Sequence, residues 1–138
     1  MMNLWLSIHP RWAEEILSGA KSVELRRRAP RVAAGATALV YVTTPVRALV
    51  ASAAIEDVVT LPLRTLWSAY GSRAAVTKKE FDGSFRGQQY GVAITLGQVT
   101  PLENEVPLST LRDHGESPAQ GWRYVSRKST ELLLVLGA

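Results

Sequence analysis

Apolar and polar residues alternate with a period of two in several separate segments of this 138-residue chain, and that pattern commits it to a fold built around a sheet. Residues 3–8 place Leu4, Leu6 and Ile8 on one side and Trp5 and Ser7 on the other, as a strand with one buried face would. Residues 21–28 continue the pattern, with Val23 and Leu25 opposed to Ser22, Glu24, Arg26 and Arg28, so one strand presents an acid and bases together. Further strands are expected over 37–43 and 48–58, paired as an antiparallel hairpin across 44–47, where Pro45 interrupts the run. Another is expected over 92–96, with Val92, Ile94 and Leu96 in alternation and an end at Pro101.

Helices are expected between these strands. Pro10 suits a first helical position and Gly19 a C-terminal stop, which predicts a helix over 10–18. Its stripe of Trp12, Ala13, Ile16 and Leu17 should face the core, with Arg11 and Glu14 in water. Leu63, Leu66, Trp67 and Tyr70 predict a second helix ended by Gly71, and Thr77 with Glu80 forms a capping box for a third that turns Phe81 and Phe85 inward. A polar bend over 114–118 and a short helix over 120–126 are expected next. Residues 131–136 fit either a helix begun at Ser129, Thr130 and Glu131 or a closing strand. The fold class expected is α+β, mainly β: a small β-barrel with helices inserted between strands, in a single domain over 1–138. An open α+β sandwich is the alternative, since periodicity does not show whether a sheet closes.

The absence of cysteine excludes disulfides, thiolate catalysis and cysteine-bound zinc, and the two histidines, His9 and His114, lie far apart; neither a metal nor a cofactor is expected. No export signal stands at the start, and no apolar run reaches the roughly 20 residues of a spanning helix, so a soluble, cytoplasmic protein with no membrane partner is expected. The net charge of +4 favours a polyanionic partner. Six basic residues against three acidic ones fall within 11–31, which makes that stretch the electrostatic candidate.

The segments Leu6-Ser7-Ile8-His9-Pro10 and Gly19-Ala20-Lys21-Ser22-Val23-Glu24-Leu25-Arg26 resemble the signature of the ASCH domain, Gly-x-Lys-x-x-Glu-x-Arg directly after a helix. Trp67, Tyr70 and Gly71, and the run Gln120-Gly121-Trp122-Arg123-Tyr124, are similar to segments of one ASCH subgroup, so the resemblance spans nearly the whole chain. Two positions depart from that subgroup, His9 where lysine is usual and Ala119 where proline is usual. The resemblance implies a PUA-like barrel whose cleft receives RNA or a modified nucleoside.

The residues expected to bind are Lys21, Glu24, Arg26, Arg28, Trp122, Tyr124, His9 and Tyr41, with Thr43 and Thr44 behind them. Arginine offers a planar fork for phosphate or a base edge, lysine a mobile charge, and an aromatic ring a stacking surface for a splayed base. The alternative for Lys21, Glu24 and Arg26 is a salt-bridge cluster that closes the barrel. Two function classes follow: a module that binds RNA or a modified nucleotide, and a metal-independent enzyme acting on the same ligands. For the enzyme, Lys21, Glu24 and Tyr124 are the catalytic candidates, with Tyr41 and Ser126 as further acid–base groups for a ribonuclease. The resemblance also implies an acetylcytidine amidohydrolase as a further alternative: those members of the family pair the lysine with a threonine at the position of Glu24, and a carboxylate cannot take over a hydroxyl's role, although Glu24 with Lys21 could act as a general base and cation pair.

Overall fold

The structure, a computed structural model, describes residues 2–138. Six strands form one mixed sheet: β1 (Asn3–Ile8), β2 (Val23–Arg26), β3 (Thr37–Val42), β4 (Ala48–Pro62), β5 (Tyr90–Pro107) and β6 (Trp122–Val125). Their order is β2-β5-β4-β3-β1-β6, with β1 parallel to β3 and every other pair antiparallel. The sheet curls into a half-barrel and stays open, since its end strands β2 and β6 pair only with β5 and β1 and not with each other. The helices are α1 (Pro10–Ser18), α2 (Leu63–Tyr70), α3 (Lys78–Ser84), α4 (Leu108–Asp113) and α5 (Arg127–Leu136).

The concave face holds the largest cluster, in which Leu4, Leu6 and Ile8 of β1 meet Ala38, Val40 and Val42 of β3, and Ala13 and Ile16 of α1 fill the opening. Leu17, expected in that stripe, is 42% exposed, while Trp12, Ala13 and Ile16 are the α1 side chains that pack on the cluster. The convex face is covered too. Trp5 and Leu39 pack there with Leu111 of α4 and Leu133 of α5, so β1 is buried on both sides rather than one.

A third cluster forms where α2 and α3, inserted between β4 and β5, lay Leu66, Phe81 and Phe85 on Val23 and Ala93. Thr77 caps α3 as the sequence predicts: its hydroxyl accepts from Glu80 N–H at 3.1 Å, and the Glu80 carboxylate accepts from Thr77 N–H at 2.9 Å.

Some expectations change, and one open choice is decided. The strand predicted to end at Pro101 runs on to Pro107, since Pro101 stands opposite Ala51 beside a register shift, where its missing N–H does not interrupt the ladder. Residues expected as a helix over 120–126 include β6, whose Trp122 and Tyr124 lie opposite Leu6 and Leu4. The final segment is helical from Arg127, capped by the Ser126 hydroxyl accepting from Ser129 N–H at 3.0 Å. The short α4 has no counterpart among the sequence expectations.

Gly91 lets the insertion seat on the sheet: a Cβ there would stand 2.6 Å from Leu66 Cδ2 and from Phe85 Cε1. Gly91→Ala should therefore destabilise the protein by about 1–3 kcal/mol, measured by urea unfolding, with the largest chemical-shift changes in α2 and α3.

Candidate nucleic-acid interface

Strand β2 presents its functional side chains because of what precedes it. Gly19 adopts φ +88°, closing α1 with an N–H bond to the Ile16 carbonyl, and Lys21 N–H then bonds the Glu15 carbonyl at 2.9 Å. Alternation along β2 turns Val23 under α2 and α3 and turns Glu24 and Arg26 toward the unpaired seam of the half-barrel. A cleft of about 410 Å³ opens there, bounded by β2, the end of β1, α3 and the segment before β6.

Of the predicted residues, His9, Lys21, Glu24 and Arg26 are brought together in this cleft. Lys21 is 3% exposed and donates its ammonium to the Ala74 carbonyl beyond α2. Burial pushes its pKa down, opposed by the charge of Glu24. Arg26 Nε lies 3.5 Å from Glu24 Oε1, and its Nη2 donates to the Ser7 carbonyl at 3.1 Å. Of the salt-bridge cluster given as the alternative for these residues, the Glu24–Arg26 pair is present, while Lys21 turns to a backbone oxygen.

Trp12, expected in the core, also lines the cleft, as do Thr43 and Gln120. Its indole Nε1 and Glu24 Oε2 are buried without a hydrogen-bond partner among the described residues.

The structure places Arg28, Trp122 and Tyr124 apart from the cleft, along the seam. Trp122 is 7% exposed, donates Nε1 to the Arg28 carbonyl at 3.1 Å, and carries the Arg28 guanidinium 4.0 Å above its ring. The Tyr124 hydroxyl accepts from Arg31 N–H at 2.9 Å. These contacts occupy Trp122 as packing and leave its face covered by a cation rather than open for a base.

Tyr41 lies on the convex side, stacked on Trp5 with ring centroids 5.3 Å apart. It lines a second groove with Arg47 and Arg112, and no carboxylate is among that groove's lining residues. Thr43, Ala119 and Gln120 line both depressions, so the groove adjoins the cleft. Burial raises the Tyr41 pKa, with Arg112 and Arg47 pulling the other way. Sequence reasoning missed Arg47 and Arg112, which come from the β3–β4 turn and from α4 and share no local pattern. Ser126, the remaining candidate, caps α5. No group of three His, Asp or Glu side chains gathers as a metal site among the described residues, and no helix is long and apolar enough to cross a membrane.

Arg11 on α1 holds α3 against the cleft through Glu80, with Nη1 to Oε2 at 2.6 Å. The Arg11 hydrogen bond, with help from Thr77, lowers the Glu80 pKa from 4.5 to about 2. A depressed carboxylate stabilises the fold above its unfolded pKa and loses that contribution as pH falls through the folded value. Glu80 should therefore titrate near 2 by carboxyl NMR, and in Arg11→Gln its midpoint should rise toward 4.5.

The sequence model of the ASCH domain family matches residues 6–101. A protein of Zymomonas mobilis described as an ASCH domain-containing ribonuclease is 32% identical over 133 residues, which cover 95% of this chain and 89% of that protein. The crystal structure of ASCH from Zymomonas mobilis is similar at TM-score 0.91 and 30% identity, covering 99% of this chain and 96% of that one. Its serine-to-alanine and tyrosine-to-phenylalanine variants have crystal structures at the same TM-score. A protein of Agrobacterium tumefaciens, at TM-score 0.64, 9% identity and coverage of 100% and 94%, shares the fold.

Proposed function

This chain belongs to the ASCH domain family of the PUA-like superfamily, and on that premise we propose that it binds single-stranded RNA across the cleft and the adjoining groove and cleaves it without a metal ion. The observation that carries the proposal is the adjacency of the two depressions: one is lined by partnered charges, the other by two arginines and a tyrosine with no acid beside them. Neither Arg47 nor Arg112 is in an ion pair among the described residues, so both can meet a phosphate. The relative described as a ribonuclease supports the catalytic half.

RNA cleavage without a metal needs the 2′-hydroxyl to attack the adjacent phosphorus as it gives up its proton to solvent water, a second proton to reach the departing 5′ oxygen as its bond to phosphorus breaks, and cations to stabilise the charge on the phosphorus oxygens. Arg47 and Arg112 supply the cations. Tyr41 lines the groove beside them and, protonated at neutral pH, can supply the proton; burial makes it a weaker acid, an effect that Arg112 and Arg47 oppose. The amidohydrolase alternative gains nothing, because Glu24 stands where that chemistry uses a threonine and Lys21 is held by a carbonyl.

Purified protein incubated with single-stranded RNA in excess chelator should shorten it to fragments ending in 2′,3′-cyclic phosphate. Tyr41→Phe, which keeps the stack on Trp5, should retain the RNA but slow its cleavage by about 10²–10⁴-fold. Arg112→Ala should weaken retention and reduce the slope of log affinity on log salt by about 0.7. RNA left intact by the parent protein over hours would reduce the function to binding.

A further inference from the structure

The segment between α4 and β6 is a wall that the cleft and the groove share, since Ala119 and Gln120 line both and Pro118 lines the groove. Glycines at positive φ stand at its two ends, Gly115 at +78° and Gly121 at +94°. Backbone bonds anchor those ends: Glu116 N–H donates to the Leu111 carbonyl at 2.9 Å, and Ser7 N–H to the Gly121 carbonyl at 2.8 Å. Between them, residues 117–120 are held by one hydrogen bond among the described residues, and Arg123 supplies it.

The Arg123 guanidinium is committed on every side. Its Nε donates to the Ser117 carbonyl at 2.9 Å, its Nη2 to the Glu116 carboxylate at 3.0 Å and its Nη1 to the Tyr124 carbonyl at 3.3 Å. The same group lies 4.5 Å from the centre of the Trp5 ring, and Trp5 stacks on Tyr41. Trp5 is wholly buried, with its indole N–H on Ser7 Oγ at 3.1 Å, so it cannot turn. One rigid, planar fork thus ties the loop wall to the ring stack that carries Tyr41. Arg123 itself lines neither depression.

Resting on the reading of the groove as a site of RNA cleavage and deepening it, we infer that Arg123 is the positioning residue of that site. It fixes the loop wall relative to the Tyr41 hydroxyl, and with it the place of the scissile phosphate beside the proton donor. Arg47 and Arg112 hold the strand whether or not the wall is fixed, so loss of the fork lowers turnover and spares retention. A displacement of about 1 Å at a reacting centre costs on the order of 10²-fold in rate.

The test is steady-state cleavage of single-stranded RNA in excess chelator, well below the unfolding temperature of each protein. Arg123→Lys keeps a charge over Trp5 but not the fork, and its kcat should fall by about 10–100-fold with KM within about threefold of the parent's. Glu116→Gln leaves Arg123 on the Ser117 carbonyl and should lower kcat by less. In a Tyr41→Phe background, Arg123→Lys should change kcat by less than about threefold, because the fork acts through the Tyr41 hydroxyl. The inference is overturned if folded Arg123→Lys cleaves at the parent's rate or if its effect multiplies with that of Tyr41→Phe. It is also overturned if Arg123→Met reduces the slope of log affinity on log salt by about 0.7, the mark of a direct phosphate contact. Should Arg123→Lys not fold, Glu116→Gln decides: a lower kcat at constant KM supports the inference and an unchanged kcat overturns it. A cleaving parent with unaffected variants removes the inference alone, whereas a parent that leaves RNA intact removes the cleavage reading as well.

Discussion

The open seam between β2 and β6 governs the rest of this structure. Two end strands of four residues each leave their outer backbone groups without a ladder, and a sheet curled this far brings those edges near each other without pairing them. Side chains join them instead. Arg26 reaches the Ser7 carbonyl, Trp122 reaches the Arg28 carbonyl, and Tyr124 takes the Arg31 N–H. Because these bridges are long and discrete, a cleft remains beside them, and its walls are whatever the neighbouring elements turn toward the gap.

The same bridges redistribute the charge. The arginine-rich stretch over 11–31 reads as a uniform basic surface, yet Arg11 is bound to Glu80, Arg26 to Glu24, Arg27 to the Arg86 carbonyl, and Arg28 lies on Trp122. Basic residues without acids beside them lie on the groove next door, at Arg47 and Arg112. A cluster of like charges in sequence is therefore a poor map of potential once each cation has found a local partner.

The elements legible in the sequence are those whose local signals and tertiary fate agree. Strand β1, helix α1 and the capping box of α3 appear where alternation, Pro10, Gly19 and the Thr77–Glu80 pair put them. Residues 122–125 were illegible because four residues are too few for a period, and because Arg123 occupies a position that faces the Trp5 ring at 4.5 Å instead of water. The signature strand located Lys21, Glu24 and Arg26 in one cleft. Trp12 packs against the core as its helical spacing predicts, but spacing does not show that the inward face also borders a cavity. Tyr41 and Arg47 lie within one hairpin, but Arg112 joins their groove from α4 only through the fold, so no window of sequence contains all three.

The helical insertion leaves β4 at Pro62 and returns to β5 at Tyr90, and those two residues are direct partners in the ladder. The excursion thus begins and ends at one point of the sheet, like the loop of a hairpin, and closing that loop depends only weakly on its length. Phe81 and Phe85, two walls of the cleft, belong to it, whereas Glu24, Arg26 and Trp12 belong to the frame. The architecture is therefore modular: an exchangeable cassette sets the shape of the cavity, while the frame retains the polar groups that face whatever the cavity admits.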